Sequence, residues 1–319
     1  MNWTRHANMQ LRQHPWIWSF LAAIAAWLIT FAIAHRGAYD TLAAASIVAV
    51  FLVIVGIGQM FVITSGNGNI DLSIPYVMTL SAFVSAGVMQ GQDGRMWLGI
   101  LAGLLCGLVV ASVTVVLILG LRMPAIIATL AVGFIVQSAA LVRSQGFSAD
   151  PSPSLVNFTS TRVADIPLIV IVFVALAVVA YVVLERSRFG RSVQAVGQKT
   201  RAAWLVGIPV GRTVAGAFLI SGVLAGLAGV LLSAYSGGAS LDIAVPYQLG
   251  SIAVVVLGGT LIAGGKSNVA GIWGGAMFLT LLVTMLNVAN LSAAWQDIIE
   301  GLMIIGVLVA ASGPAARRE

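Results

Sequence analysis

Ten apolar runs, each close to the length of a membrane-crossing helix, occupy most of this 319-residue sequence. A spanning helix needs about 20 mainly apolar residues. Only 8% of the residues are charged, whereas soluble domains carry about 25%. The sequence therefore predicts an all-α polytopic membrane protein with about ten helices, or eight to ten because Gly, Pro and polar residues interrupt several runs. The runs are 16–34, 42–64, 72–90, 97–119, 124–142, 166–184, 214–235, 246–264, 268–291 and 296–312.

The distribution of Lys and Arg predicts which side of the membrane each connection faces. Cytoplasmic loops carry an excess of these residues. With the N-terminus inside and ten crossings, only Arg36, Arg95, Arg143 and Arg162 of the 16 basic residues lie outside. We therefore predict that both termini are cytoplasmic and that residues 1–319 form one membrane domain. The first run could instead be a signal peptide, but its apolar part is longer than a typical signal core.

The connection at 185–213, here called the basic segment, separates the sixth and seventh runs. Its charged residues are one acid, Glu185, and six bases, Arg186, Arg188, Arg191, Lys199, Arg201 and Arg212. A sizeable basic connection on the cytoplasmic side of a membrane protein predicts a docking site for another subunit. It does not predict nucleic-acid binding, because the basic residues of the chain lie between apolar runs instead of forming one stripe.

Two similar twelve-residue stretches, Ser65–Tyr76 and Ser236–Tyr247, each lie at the junction between two apolar runs. They are identical at five positions, a level that chance similarity could also produce. Five runs separate them, and because that number is odd the two copies should point in opposite directions. The pattern predicts an inverted repeat of five plus five helices.

The first of these stretches is a poor helix former, because Gly and Asn disfavour continuous helix. Backbone that leaves the helix at membrane depth is tolerated only against protein or water. We therefore expect Gly66–Tyr76 to line a cavity or its mouth, although an interfacial loop with a helix cap at Asp71 or Ser73 remains an alternative. The candidate pathway residues are Gln59, Asn67, Asn69, Asp71, Ser73, Tyr76, Tyr247, Gln248, Asn287 and Glu300.

Small residues recur every fourth position in two of the runs. One row is Gly99, Gly103 and Gly107, and the other is Ser221, Ala225 and Gly229, beside Gly222 and Gly226. Such rows let the backbones of neighbouring helices approach closely. We expect them to serve ordinary packing within the bundle.

Residue patterns for enzyme chemistry and metal binding are missing from the sequence. Cys106 is the only cysteine, and the three histidines do not cluster with carboxylates. The stretch Thr260–Ser267 nearly matches a phosphate-binding loop, but its first position is Thr instead of Gly. We interpret it as a tight cytoplasmic corner. A chain of intramembrane acids suited to proton relay is also missing, which disfavours a proton-driven transporter.

Several motifs together resemble the permease subunits of bacterial ABC sugar importers of the ribose/arabinose/xylose type. They are Gly58–Gly66 followed by Ile70–Ser73, then Pro124–Leu130, then Ser187–Arg191 with Ala195–Gly197, Arg201–Ala203 and Gly207-Ile208, and finally Ala253–Thr260 with Gly264–Lys266. The resemblance extends from about Gly56 to the last run. Each motif alone would be weak, but the set is specific.

This resemblance implies a fold and a set of partners. The fold would be the ten-helix, type II fold of vitamin-B12-type importers, in the bacterial inner membrane. The partners would be a cytoplasmic ATPase that carries ATP and Mg²⁺, a periplasmic sugar-binding protein and an identical or paralogous second permease, with no cofactor on this chain. The coupling helix would span about Thr200–Gly207. The implied coupling residues are Arg188, Gly190, Arg191, Gly197, Arg201, Ala202, Ala203, Gly207 and Ile208.

Four departures from the family pattern leave the sugar and the identity of the second permease undetermined. Asn67-Gly68 is an apparent insertion, Pro75 replaces a common Val-Gly pair, Gln248 occupies a usually acidic position, and Lys199–Arg201 replaces an acidic-tending start of the coupling motif. Two other classes of function remain as alternatives. One is a secondary transporter or channel for a small polar solute, and the other is an intramembrane enzyme, for which the sequence offers no catalytic constellation.

Overall fold

The structure, a computed structural model, describes residues 16–34, 37–145 and 150–311. Both predicted cytoplasmic termini, including Arg5, Arg12, Arg317 and Arg318, lie outside the described residues, as does Arg36. The helices are α1 (Ile17–Ala34), α2 (Ala38–Thr64), α3 (Ile74–Met89), α4 (Met96–Val115), α5 (Ala125–Ser144), α6 (Pro153–Ser160), α7 (Leu168–Arg186), α8 (Arg188–Gln198), α9 (Thr200–Leu205), α10 (Val210–Tyr235), α11 (Tyr247–Leu257), α12 (Val269–Val288) and α13 (Ala293–Ala311). A 3₁₀ turn at Asp93–Arg95 precedes α4, a π turn at Val116–Gly120 follows it, and the two-residue strands β1 (Arg162–Val163) and β2 (Ile166–Pro167) pair antiparallel.

Each of the ten apolar runs contains one helix of the structure. Among the described residues, seven helical segments are long and apolar enough to cross a membrane: α1, α2, the Asp93–Gly120 segment that contains α4, α5, α7, α10 and α12. Helices α3 and α11 are shorter, with 16 and 11 residues. The structure is mostly helical, with seven segments that could cross a membrane, and is consistent with the predicted polytopic membrane protein. Both short helices directly follow the two stretches that the sequence identified as breaks.

Helix α2 forms the centre of the bundle. In its most apolar window, 94% of the residues are buried inside the protein, whereas the corresponding fractions for α1, α4, α5 and α7 lie between 22% and 39%. Helices α10, α12, α11 and α7 pack around α2, and α10 also packs against α3 and α4. The outer helices therefore present their apolar side chains outward, as lipid contact requires.

The close crossing of α4 and α10 depends on the predicted rows of small residues. A Cβ atom added at Gly107 would overlap the carbonyl group of Gly222, and one added at Gly226 would lie 2.5 Å from the carbonyl oxygen of Gly103. Backbones can approach this closely only where both helices lack side chains. The packing role that the sequence predicted for these rows is therefore confirmed.

The two ends of the bundle are identified by contacts between their connections. At one end, the backbone N–H of Gly265 donates to the carbonyl of Thr64 at 2.9 Å, beside Gly197 of the basic segment. At the other end, the Arg162 guanidinium pairs with Asp40 at 3.4 Å. We call these the inner and outer ends, following the side predicted from sequence for the described connections.

Replacing Gly107 with Val should destabilise the protein by about 1–3 kcal/mol, because overpacking forces backbones and side chains apart. The control is Gly301→Ala in α13, where an added Cβ meets no atom within 4 Å and helix propensity improves. Thermal unfolding in detergent, followed by loss of monodisperse protein, measures the difference. Equal thermal stability of Gly107→Val and the unmodified chain would contradict the assigned crossing.

Candidate functional site: two broken helices around a polar cavity

The two similar stretches adopt matched backbone geometry. Each follows a long helix, α2 or α10, and each turns at a glycine, Gly66 or Gly237, with a φ angle of 74°. This positive φ angle is accessible to Gly and strained for most other residues. A proline then precedes or occupies the first turn of the short helix that follows, Pro75 in α3 and Pro246 before α11. The sequence repeat is therefore also a repeat of local structure.

A polar cavity of about 540 Å³ lies where the two short helices begin. Pockets that bind small molecules usually measure about 300–1,000 Å³. Its lining residues come from the starts of α3 and α11, the turn before α11 and the C-terminal half of α5: Pro75, Tyr76, Thr79, Gln137, Ser138, Leu141, Leu241, Asp242, Val245 and Gln248. Hydroxyl, amide and carboxylate groups on this lining can donate and accept hydrogen bonds.

Two smaller cavities continue from the same region towards α13. The first, of about 420 Å³, is lined in part by Tyr247, Asn287, Gln296 and Glu300. The amide of Gln296 donates to the carbonyl oxygen of the Asn287 side chain at 2.9 Å. The second, of about 230 Å³, lies between Gln248 and Glu300. Glu300 thus lines both cavities, and Gln248 lines both the second of them and the main one.

The structure divides the ten predicted pathway residues into three groups. Tyr76, Tyr247, Gln248, Asn287 and Glu300 line cavities. Gln59, Asn69, Asp71 and Ser73 are buried and are absent from the lining of the main cavity. Asn67 is exposed at the inner end, where its side-chain oxygen accepts a hydrogen bond from the Thr200 hydroxyl at 3.1 Å.

Asp71 holds the break before α3 together instead of facing the cavity. One carboxylate oxygen accepts hydrogen bonds from the Ser73 backbone N–H at 3.0 Å and the Ser73 hydroxyl at 2.6 Å. The other accepts from the Ser221 hydroxyl of α10 at 2.7 Å. The Asp71 backbone N–H donates to the side-chain carbonyl of Gln59 in α2 at 3.3 Å. Asp71 therefore links α2, α3 and α10, and only 4% of its surface is exposed.

Four polar side chains that line the main cavity were not predicted from the sequence: Thr79, Gln137, Ser138 and Asp242. Asp242 had a signal in the sequence, because the alignment of the two stretches pairs it with Asp71. The signal for the other three was weak, because a polar residue within an apolar run can equally bond to its own helix. The Ser138 hydroxyl, for example, donates to the carbonyl of Phe134 at 3.0 Å.

Removal of the Ser221 hydroxyl should destabilise the protein, because it leaves a buried carboxylate oxygen without this partner. We expect Ser221→Ala to cost about 1–3 kcal/mol. The control is Ser112→Ala, since the exposed Ser112 hydroxyl bonds only to a carbonyl of its own helix. Thermal unfolding in detergent gives the comparison, and a Ser221→Ala variant as stable as the Ser112→Ala control would contradict the structural role of Asp71.

The basic segment at the inner end folds into two helices, α8 and α9. Helix α8 is anchored by Phe189, whose ring lies 6.0 Å from that of Phe61 in α2, against Gly216 of α10. Gly190 packs on the last carbonyls of α7, and Gly197 packs between the backbones of Thr64 and Gly265. These two glycines of the predicted coupling set therefore serve packing within this chain. Arg188 and Arg191 are exposed.

Helix α9 ends at the predicted glycine. Gly207 has a φ angle of 85°, its N–H donates to Trp204, and the N–H of Ile208 donates to Ala203, both at 3.0 Å. This pair of bonds is the Schellman motif that terminates a helix at a left-handed residue. Ala203 is buried against the protein. The predicted coupling helix is thus a helix in the structure, with bounds of Thr200–Leu205.

The end of α9 exposes an apolar surface although it lies in the basic segment. Trp204, Leu205 and Val206 are 66%, 69% and 77% exposed. Arg201 and Ala202 of the same helix are also exposed. Exposed apolar side chains rimmed by polar residues are typical of protein interaction sites. The sequence did not predict this feature, because Trp204–Val206 resemble any short apolar interruption of a loop.

At the inner end, the basic segment touches the break at Gly66 and the corner at Gly264. A Cβ atom added at Gly66 would lie 2.7 Å from Gly197, and one added at Gly264 would lie 2.5 Å from Gly66. These three backbones are therefore in direct contact. The Gln198 amide donates to the carbonyl of Gly265 at 3.3 Å. The corner that resembled a phosphate-binding loop is thus occupied by protein, as the interpretation as a tight corner requires. Among the described residues, no group of three His, Cys, Asp or Glu side chains could hold a metal ion.

Comparison with known proteins gives a family match and several similar proteins. Residues 41–308 match the family model described as "Branched-chain amino acid transport system / permease component". The chain is 32% identical over 259 residues to the autoinducer 2 import system permease protein LsrC of Enterobacter sp. (strain 638), covering 81% of this chain and 75% of that protein. It is 31% identical to the ribose import permease protein RbsC of Escherichia coli (strain K12), with 79% of each covered. It is 30% identical to the D-allose transport system permease protein AlsC of the same strain, covering 80% and 78%. No solved structure matches the chain.

Proposed function

The chain belongs to the ABC-importer permease family whose model matches residues 41–308, and from this premise we propose that it forms the translocation pathway of an ATP-driven importer for a monosaccharide or related polyol. Permease components of this family are not enzymes themselves, and ATP hydrolysis lies on a separate subunit. The similar proteins named as ribose, D-allose and autoinducer 2 import permeases support a sugar-like substrate.

The observation that carries the proposal is the exposed apolar surface at the end of α9 within the basic segment, formed by Trp204, Leu205 and Val206. An isolated helix of six residues is unstable in water, so α9 depends on its anchorage to α8 and to the inner end. This anchorage holds the exposed side chains of Trp204, Leu205 and Val206 in place on the surface. An aromatic residue within an apolar patch is a typical anchor for binding another protein. We assign this surface to the cytoplasmic ATPase, which would carry ATP and Mg²⁺.

The contacts of α8 and α9 suggest how movement of the ATPase would reach the pathway. Thr200 and Gly197 touch the break before α3 at Asn67 and Gly66. Helix α3 carries Tyr76, which lines the main cavity. A displacement of the basic segment would therefore shift the start of α3 and change the shape of that cavity. In this scheme the predicted coupling residues act partly through docking and partly through contacts within the chain.

The remaining parts of the assembly follow from the family and the repeat. We propose ten crossings in the bacterial inner membrane, with cytoplasmic termini and a five-plus-five inverted repeat of the type II kind. The sequence shift of 171 residues that aligns position 65 with 236 also aligns α2 with α10, α3 with α11 and α4 with α12. A periplasmic sugar-binding protein would deliver the substrate, and a second permease, identical or paralogous, would complete the pathway.

Substitution of Trp204 by Glu should uncouple the ATPase from transport. Loss of an aromatic interface anchor usually weakens binding by about 2 kcal/mol or more, so ATP-dependent uptake in proteoliposomes should fall about tenfold or more. The control is Trp97→Glu, the same change at a residue that is 73% exposed near the outer end. Full uptake by the Trp204→Glu complex would contradict docking at α9, provided that both variants insert and purify equally.

The orientation can be tested by labelling single cysteines in intact cells. In a Cys106→Ala background, Thr161→Cys should react with a membrane-impermeant maleimide, because Thr161 is exposed beside the outer-end strand β1. Val206→Cys, directly after α9, should react only after the membrane is permeabilised. The reverse pattern would place the basic segment outside the cell and would exclude a cytoplasmic ATPase as its partner.

A further inference from the structure

The two aspartates of the repeat differ in their surroundings. Asp71 is buried and accepts three hydrogen bonds from Ser73 and Ser221. Asp242, at the matching position of the second stretch, is exposed and lines the main cavity. Among the described residues, no hydrogen bond or ion pair engages its carboxylate.

The sequence explains this difference. With the shift of 171 residues, Ser73 aligns with Ala244, Ser221 with Val50 and Gln59 with Val230. All three matching residues are fully buried and have no polar side-chain atom. A buried carboxylate without hydrogen-bond donors is costly, so Asp242 cannot repeat the environment of Asp71. Its side chain remains at the cavity, where water or a solute can satisfy it.

We propose that Asp242 is a specificity-determining residue that admits neutral, polyhydroxylated solutes to the cavity and excludes anionic ones. This inference rests on the proposed function, since it concerns the pathway assigned there. Asp242 is the only charged residue among the ten that line the main cavity. A carboxylate accepts hydrogen bonds from two neighbouring hydroxyl groups, and such charge-assisted bonds are stronger than neutral ones.

The rest of the lining is suited to the same class of solute. Thr79, Gln137, Ser138 and Gln248 offer neutral donors and acceptors, and the ring of Tyr76 offers an apolar face. A phosphorylated or carboxylated sugar would meet the Asp242 charge without a described cation on the lining to offset it. Such repulsion adds to specificity by weakening the binding of a competitor.

The charge filter can be tested without knowing the transported sugar. Ser138→Cys, placed on the cavity lining in a Cys106→Ala background, would be labelled in the full-length permease in proteoliposomes. We compare a cationic trimethylammonium and an anionic sulfonate methanethiosulfonate reagent of similar size. The ratio of the cationic to the anionic labelling rate is divided by the same ratio for a free thiol in solution. It should be about ten or more, because clefts of one charge concentrate counter-ions.

Asp242→Asn should bring that ratio close to the value for the free thiol. Asp150→Asn is the matched control, because Asp150 is exposed at the outer end beside Gly91 but is absent from the cavity lining. A ratio that is unchanged by Asp242→Asn, or that falls equally with Asp150→Asn, would overturn the assignment. The labelling needs no ATP, so failure of ATP-dependent uptake would refute the proposed function separately.

Protection of the same cysteine tests the preference for neutral hydroxyl groups. D-Ribose should slow labelling of Ser138→Cys by the cationic reagent, and ribose 5-phosphate should not. In the Asp242→Asn variant, protection by D-ribose should weaken and protection by ribose 5-phosphate should appear. Protection by the phosphate ester in the cavity that retains Asp242 would overturn the proposal, as would D-ribose protection that is unchanged by Asp242→Asn.

Discussion

The break between α2 and α3 places non-helical backbone inside the protein, and the fold must satisfy its polar groups. Lipid offers no hydrogen bonds, so only protein or water can do this. Here the protein supplies the partners: the N–H of Gly66 donates to Ile63, the N–H of Asn69 donates to Gly66, and Asp71 connects the break to Gln59 and Ser221. The central position of α2 and the close approach of α10 both serve this requirement.

The same break connects the two functional regions of the chain. Its first residues touch the basic segment, where Gly66 meets Gly197, and its last residues lead to Tyr76 at the cavity. About ten residues therefore separate a surface suited to a motor subunit from a site suited to a polar solute. Packed protein interiors have low compressibility and transmit strain. This short connection can therefore carry a displacement from the surface to the site. The proposed coupling uses contacts that already stabilise the fold.

The sequence predicted the helices well because apolar runs of membrane length have few alternatives. It also identified both breaks and the termination of α9 at Gly207, since Gly, Pro and repeated motifs report backbone geometry directly. It could not divide the polar residues by role. Asp71 and Asp242 have the same side chain in matching motifs. Asp71 is structural because Ser73 and Ser221 of α10 donate hydrogen bonds to it, whereas Ala244 replaces Ser73 beside Asp242 and leaves that carboxylate at the cavity. Helix α8 and the short helix α6 were also missed, because polar connections lack the apolar period that marks a membrane helix.

The enclosure of α2 determines how the protein responds to bilayers of different thickness. Helices that face lipid respond to bilayer thickness by tilting or by locally deforming the bilayer. At 27 residues, α2 has a length of about 40 Å, well above the roughly 30 Å of the hydrocarbon core. Because its neighbours are protein on nearly every side, its tilt is fixed by those neighbours. Changes in lipid composition should therefore be absorbed by α4, α5 and α7 at the periphery, while α2 keeps its position in the bundle.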